Sequence, residues 1–154
     1  MTLYEIVKTL HILSAAVLFG TGLGTAWFFW QAHCTGDPAQ IAATARAVVR
    51  ADWLFTTPAV ILQPATGGLL MMLTDVPVTE HWLIVSLALY AVAGLFWVPV
   101  IFMQIEMRNL ARVAETKGQA LPPRYFALFR RWFWFGIPGF GSVMITLWLM
   151  IAKP

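Results

Sequence analysis

The sequence predicts an all-α membrane protein, a four-helix transmembrane bundle with short interfacial helices in its cytoplasmic loops. Of the 154 residues, 60% are hydrophobic and only 11% are charged, which is more apolar surface than a soluble domain of this size can bury. Four apolar runs reach the roughly 20 residues that cross a hydrocarbon core of about 30 Å. They are Leu3–Trp30, Trp53–Leu73, Trp82–Gln104 and Trp132–Ile151. Because these runs lack the alternation of barrel strands, we expect helices in a single domain over residues 1–154.

The first run is predicted to be a retained helix. Its start, Met1–Lys8, lacks the basic region that opens a signal peptide, and the apolar run that follows is too long for one.

Lysine and arginine predict the orientation of the chain. The connections His33–Ala51 and Arg108–Arg131 carry basic residues, whereas Thr74–His81 carries Asp75 and Glu80 and no basic residue. Because cytoplasmic loops are enriched in Lys and Arg, we expect both basic connections in the cytoplasm and both termini outside, in a bacterial inner membrane. The basic pI then reflects topology, and the expected partner is the lipid bilayer rather than nucleic acid.

Both basic connections contain helix signals. Asp37-Pro38 is an N-cap and N1 pair followed by apolar residues at helical spacing, which predicts an interfacial helix over residues 38–51 that runs into the second span. The third helix is expected to continue to Gly118 as its C′ residue. After Pro122-Pro123, residues 124–131 are expected to lie on the membrane surface.

His11 is the main candidate for a functional residue. It is an ionisable side chain inside an apolar span, where a partner within the protein is required and a functional role is the default hypothesis. Imidazole with a second imidazole or a thioether is the ligand set of haem iron, and the thioether also suits copper(I). Candidate residues on the same helix face include Tyr4, Lys8 and Gly22, and those at comparable depth on helices two and three include Met71 or Met72 and Tyr90.

A structural role for His11 fits the same spacing. The histidine would then be hydrogen-bonded to a Ser, Thr, Tyr or Gln on a neighbouring helix. Helix two carries a polar stripe of Asp52, Thr56, Gln63 and Thr66 with Gly67, and Gln63 is interpreted as an amide that bonds across helices. His33 and His81 are expected to be solvated at the two membrane interfaces, and no cluster suits zinc.

Three stretches carry a resemblance to known families. Val7–Gly22, with its Lys-x-x-His step, resembles the opening helix of several small membrane families. The whole chain, including Arg50–Pro58 and Thr66–Gly68, is similar to the predicted integral membrane proteins of domain-of-unknown-function family 2269.

The chain also resembles, more distantly, the HemJ-type protoporphyrinogen oxidases and the CopD membrane domain. In the oxidases the histidine matching His11 is implicated in haem b binding, and the stretch 130–154 is similar to their last helix. Gly136-Ile137 stands where they have Asn-Glu, and Ser86 stands about where they have a lysine. The resemblance therefore implies haem binding without implying the oxidase reaction.

These patterns predict a haem b-binding or redox-associated membrane protein with His11 as axial ligand and Lys8 or Tyr4 near a haem propionate. Two hypotheses of other classes stand beside it. The first is a non-enzymatic subunit that docks another membrane protein or a second copy of itself through its small-residue faces. The second is a copper-handling protein that uses His11 and the methionines. No catalytic residue is assigned.

Overall fold

The computed structural model describes residues 1–153 and contains four helices that are long and apolar enough to cross a membrane. The predicted all-α class is confirmed. The helices are α1 (Leu3–Thr35), α2 (Pro38–Ala51), α3 (Thr57–Thr74), α4 (His81–Lys117) and α5 (Pro123–Ala152), and a π-helical turn, Asp52–Thr56, joins α2 to α3. Pro154, the last residue of the oxidase-like stretch 130–154, lies outside the described residues.

Side chains and glycines mark the helix ends. At the start of α1, Thr2 and Glu5 bond to each other's backbone N–H in a capping box. At the start of α2, the Asp37 carboxylate accepts from the Ala39 N–H at 3.0 Å, as the Asp-Pro pair predicted. Helix α4 ends at Gly118 with φ +60°, a left-handed conformation that glycine adopts without a steric penalty.

The helix predicted over residues 38–51 is confirmed as α2. One face of α2 is buried, and it packs against α1 and α4. The chain continues from α2 into α3 without a break, through the π-helical turn. In that turn the Thr57 hydroxyl donates to the Asp52 carbonyl at 2.9 Å, five residues earlier.

The hydrophobic core lies at one end of the molecule. We call this the basic end, formed by α2, the last part of α1 and α4, and the first turns of α5; the opposite end, with both chain termini and the connection 75–80, is the terminal end. The core at the basic end includes Phe29, Ile41, Met107, Tyr125 and Trp132. Phe29 and Trp132 meet edge to face at 5.2 Å between ring centroids.

The structure differs from the sequence prediction for residues 124–131. They are not a separate surface segment but the first turns of α5, which runs unbroken from Pro123 to Ala152. No helix breaker separates them from the apolar run that follows, and Tyr125, Leu128 and Phe129 enter the core. Burial of these three side chains fixes the segment against α4 and the end of α1, because it removes their apolar surface from water.

Candidate functional site

His11 points from α1 towards α3. Its Nδ1 lies 2.8 Å from the Thr66 hydroxyl oxygen, and a Cβ placed on Gly67 would be 3.4 Å from its Cε1. The imidazole therefore occupies the space that the missing side chain of Gly67 leaves open. Thr66 is buried and His11 is half-buried, with the Nδ1–Cε1 edge of the ring against α3.

The hydrogen bonds of Thr66 define the tautomer of His11. The Thr66 hydroxyl donates to the Leu62 carbonyl at 2.6 Å, so its single proton is already used. With its proton in that bond, the hydroxyl accepts from His11, and on this basis the imidazole proton is assigned to Nδ1. Nε2 then carries the free lone pair and is the one ring nitrogen able to coordinate a metal.

Gln63 ties the same part of α1 to α3. Its amide Nε2 donates to the His11 carbonyl and to the Ser14 hydroxyl, both at 2.8 Å. The Ser14 hydroxyl in turn donates to the His11 carbonyl at 3.1 Å. The interpretation of Gln63 as an amide that bonds across helices is confirmed. Such bonds contribute about 0.6 to 2 kcal/mol each in membranes, so this network fixes the position of His11 rather than dominating stability.

Two predicted site residues lie towards the terminal end on the exposed side of α1. Lys8 and Tyr4 are both exposed, and the Lys8 Nζ lies 5.4 Å from the centre of the Tyr4 ring. On α3, Met71 is half-buried and follows Gly67 by one helical turn. These three side chains flank the His11 site, and none of them is hydrogen-bonded to it.

Gly22 and Tyr90 are placed differently. Gly22 is half-buried, and a Cβ added there would meet no atom within 4 Å, so no helix packs closely against it. The Tyr90 hydroxyl donates to the Val60 carbonyl at 2.5 Å, which ties α4 to α3. Neither residue takes part in the contacts of His11.

The sequence pointed to part of this site. Thr66, Gln63 and Gly67 stood out as a polar stripe on the second span, and the structure places three members of that stripe against His11. Ser14 was missed. A serine in a helix commonly bonds a carbonyl of its own helix, so nothing in its spacing indicates a partner on another helix.

His33 differs from the solvated histidine that the sequence predicted. It is half-buried at the basic end, its ring lies nearly parallel to that of Phe129 at 3.5 Å, and its Nδ1 is 3.2 Å from the Tyr125 hydroxyl. The cause is the inward packing of the first turns of α5, which brings two aromatic rings against the end of α1. His81 is exposed, as expected.

Neither of two cavities at the basic end is lined by His11. One, of about 640 Å³, lies between α1 and α2, and the other, of about 360 Å³, is lined by Arg130, Arg131 and neighbouring aromatic residues of α5. Within residues 1–153 there is also no group of three His, Cys, Asp or Glu side chains placed to hold a metal ion. The His11 site therefore belongs to neither of these cavities and to no such cluster.

Comparison with known proteins gives one match. A family model described as "Predicted integral membrane protein (DUF2269)" matches residues 5–154. No curated protein and no solved structure matches the chain.

Proposed function

The chain belongs to this family of predicted integral membrane proteins, and on that premise we propose that it binds haem b with His11 Nε2 as an axial ligand of the iron. The observation that supports the proposal is the hydrogen bond from His11 Nδ1 to Thr66. Histidines that ligate metals usually donate their other ring N–H to a fixed acceptor, which sets the tautomer and the ring orientation. Thr66 fills that role here.

The surroundings of His11 fit an axial ligand. Its Nε2 has no hydrogen-bond partner among the described residues, and His11 is only half-buried. When bound, haem supplies one-electron redox chemistry whose potential depends on the axial ligands. Since His33 bonds Tyr125 and His81 is exposed at the start of α4, Met71 is the side chain we propose as a second axial ligand.

Lys8 and Tyr4 are suited to bind the polar edge of the haem, which carries its propionates. Both are exposed within two helical turns of His11, towards the terminal end. A lysine near a helix end extends its ammonium group to the membrane interface, where it can pair with a propionate carboxylate. The Tyr4 phenol can donate a hydrogen bond at the same level.

Copper handling has less support. A copper(I) site needs several soft ligands, and Met72 and Met144 are 79% and 48% exposed. No separate observation supports the docking of a partner protein, and the experiment below treats that hypothesis as one of its outcomes.

We further propose a bacterial inner membrane, with the basic end in the cytoplasm and both termini outside. The exposed side chains of Arg46, Arg50, Arg124, Arg130 and Arg131 all belong to the basic end. This agrees with the enrichment of Lys and Arg on the cytoplasmic side of membrane proteins.

A visible absorption spectrum of the detergent-purified protein tests the proposed ligand. Protein from haem-replete cells is expected to show a Soret band that His11→Ala removes or shifts. His33→Ala and His81→Ala are the matched controls and should leave the band unchanged. Thr66→Val should shift the band or weaken haem retention, because it removes the acceptor for Nδ1–H.

A colourless protein, or a band unaffected by His11→Ala, would overturn the haem proposal. His11 would then be a residue of helix packing, and a partner subunit would become the better hypothesis.

A further inference from the structure

Asp52 is a buried acid whose charge nothing in the structure balances. It lies in the π-helical turn between α2 and α3, and only 6% of its surface is exposed. Its Oδ1 accepts a hydrogen bond from the Thr56 hydroxyl at 2.9 Å, whereas its Oδ2 is buried and has no partner. A buried polar atom without a partner is rare, and a buried unpaired charge is rarer still.

Gln104 of α4 presents a second buried acceptor beside this carboxyl group. Its side chain lies near enough to influence the Asp52 carboxyl group, and the residue is only 5% exposed. Its Oε1 is also buried without a partner. Two acceptor oxygens on adjoining side chains therefore lack a donor.

The charged and titratable groups on the elements around Asp52 are engaged elsewhere or exposed. The π-helical turn packs against α1, α2 and α3. On α1, His33 bonds Tyr125. On α2, Arg46 pairs with Glu115 of α4 at 3.8 Å, and Arg50 is exposed. Glu106 of α4 pairs with Arg124, and α3 has no charged residue. Arg108 of α4 bonds Asn109, and no cation among the described residues forms a salt bridge with Asp52.

We propose that Asp52 and Gln104 form a buried proton-binding site, in which Asp52 holds a proton on Oδ2. The proton converts Oδ2 from an acceptor into a donor and removes the charge that burial penalises. Exchanging the N and O of the Gln104 amide would offer one N–H to Oδ2. It would still leave an ionised carboxylate with two neutral donors and no cation.

A metal ion suits the site poorly. Calcium takes six to eight oxygen ligands, and magnesium needs an octahedral set. This site offers the two unpartnered oxygens of Asp52 and Gln104 and a single carboxylate. A proton needs only one oxygen to hold it and one acceptor to receive the resulting O–H, and Oδ2 of Asp52 and Oε1 of Gln104 provide these two atoms.

Infrared spectroscopy of the purified protein at neutral pH tests the proposal through the carbonyl band of a protonated carboxyl group. We expect a band that shifts in deuterated buffer, is lost in Asp52→Asn and is retained in Asp75→Asn, which alters an exposed acid of the 75–80 connection. Gln104→Leu should shift the band by removing its neighbour while Asp52 remains. This second variant keeps the test decisive if Asp52→Asn fails to fold.

Three results would overturn the proposal: no Asp52-dependent band at neutral pH, a band that Gln104→Leu leaves in place without a shift, or a band that sodium removes at constant pH. The last result would assign the site to a sodium ion. The outcome does not depend on whether His11 binds haem, because the two sites share no residue.

Discussion

Replacing Gly67 by leucine should destabilise the protein, whereas replacing its neighbour Gly68 should not. A Cβ on Gly67 would lie 3.4 Å from His11 Cε1 and 3.9 Å from Nδ1, which is ordinary contact for one methyl group. The atoms beyond Cβ would have to displace the imidazole. Gly68 is exposed, and a Cβ there would meet nothing within 4 Å.

The expected magnitudes follow from these contacts. Overpacking at Gly67 costs about 1 to 3 kcal/mol, and loss of the hydrogen bond between His11 and Thr66 adds about 0.6 kcal/mol. Replacing a glycine in a helix interior raises the free energy of unfolding by about 1 kcal/mol in either variant. Gly67→Leu is therefore expected to unfold more easily than Gly68→Leu by about 2 kcal/mol or more, and Gly67→Ala should be neutral or slightly stabilising.

Unfolding in detergent, followed by circular dichroism as sodium dodecyl sulfate is added, measures these differences. Equal losses in Gly67→Leu and Gly68→Leu would refute the reasoning, since the close approach of His11 to Gly67 is the only difference on which it depends. A strongly destabilised Gly67→Ala would refute it as well, because a single methyl group on Gly67 fits beside His11 Cε1 at 3.4 Å.

Three further predictions test other contacts. Gln63→Leu should lower the free energy of unfolding by about 1 to 2 kcal/mol, because it removes both hydrogen bonds from the Gln63 amide to α1. Gln40→Leu on the exposed face of α2 is the control and should change the free energy of unfolding little. Equal effects would contradict the hydrogen-bond network. Tyr125→Phe should cost about 0.5 to 1.5 kcal/mol in thermal unfolding by removing the hydroxyl that bonds His33, and the exposed Tyr4→Phe is its control. A C-terminal reporter that is active only in the cytoplasm should be silent in the full chain, and an active reporter would reject the orientation inferred from charge.

The parts of the fold that depend on local signals could be predicted from the sequence. The Asp37-Pro38 pair and Gly118 mark helix ends through their own backbone preferences, and apolar length alone identifies the spans. The structure places these features where the sequence predicted them. A polar stripe likewise identified the face of α3 that meets His11, because buried polar groups in a membrane need partners.

Features that depend on which helices meet could not be predicted in this way. Residues 124–131 have the composition of an interfacial segment, and only the core formed by α1, α2 and α4 explains why Tyr125 is buried. The prediction that His33 is solvated was wrong for the same reason, since its aromatic neighbours are about 90 residues away in the sequence. The proximity of Asp52 and Gln104 also joins distant segments, and neither residue alone signals the other.

The uneven distribution of the core has a consequence for how the molecule opens. Helix α4 has 37 residues and is about 55 Å long, well beyond a hydrocarbon core of about 30 Å. Its end carries Met107, Ala111 and Ala114 into the packed core, whereas towards the terminal end the helices meet through a few small and polar side chains. Backbone amides at the basic end should therefore be the last to exchange with solvent deuterium, and the segment around His11 should open first. A protein built in this way can open at one end without loosening the other.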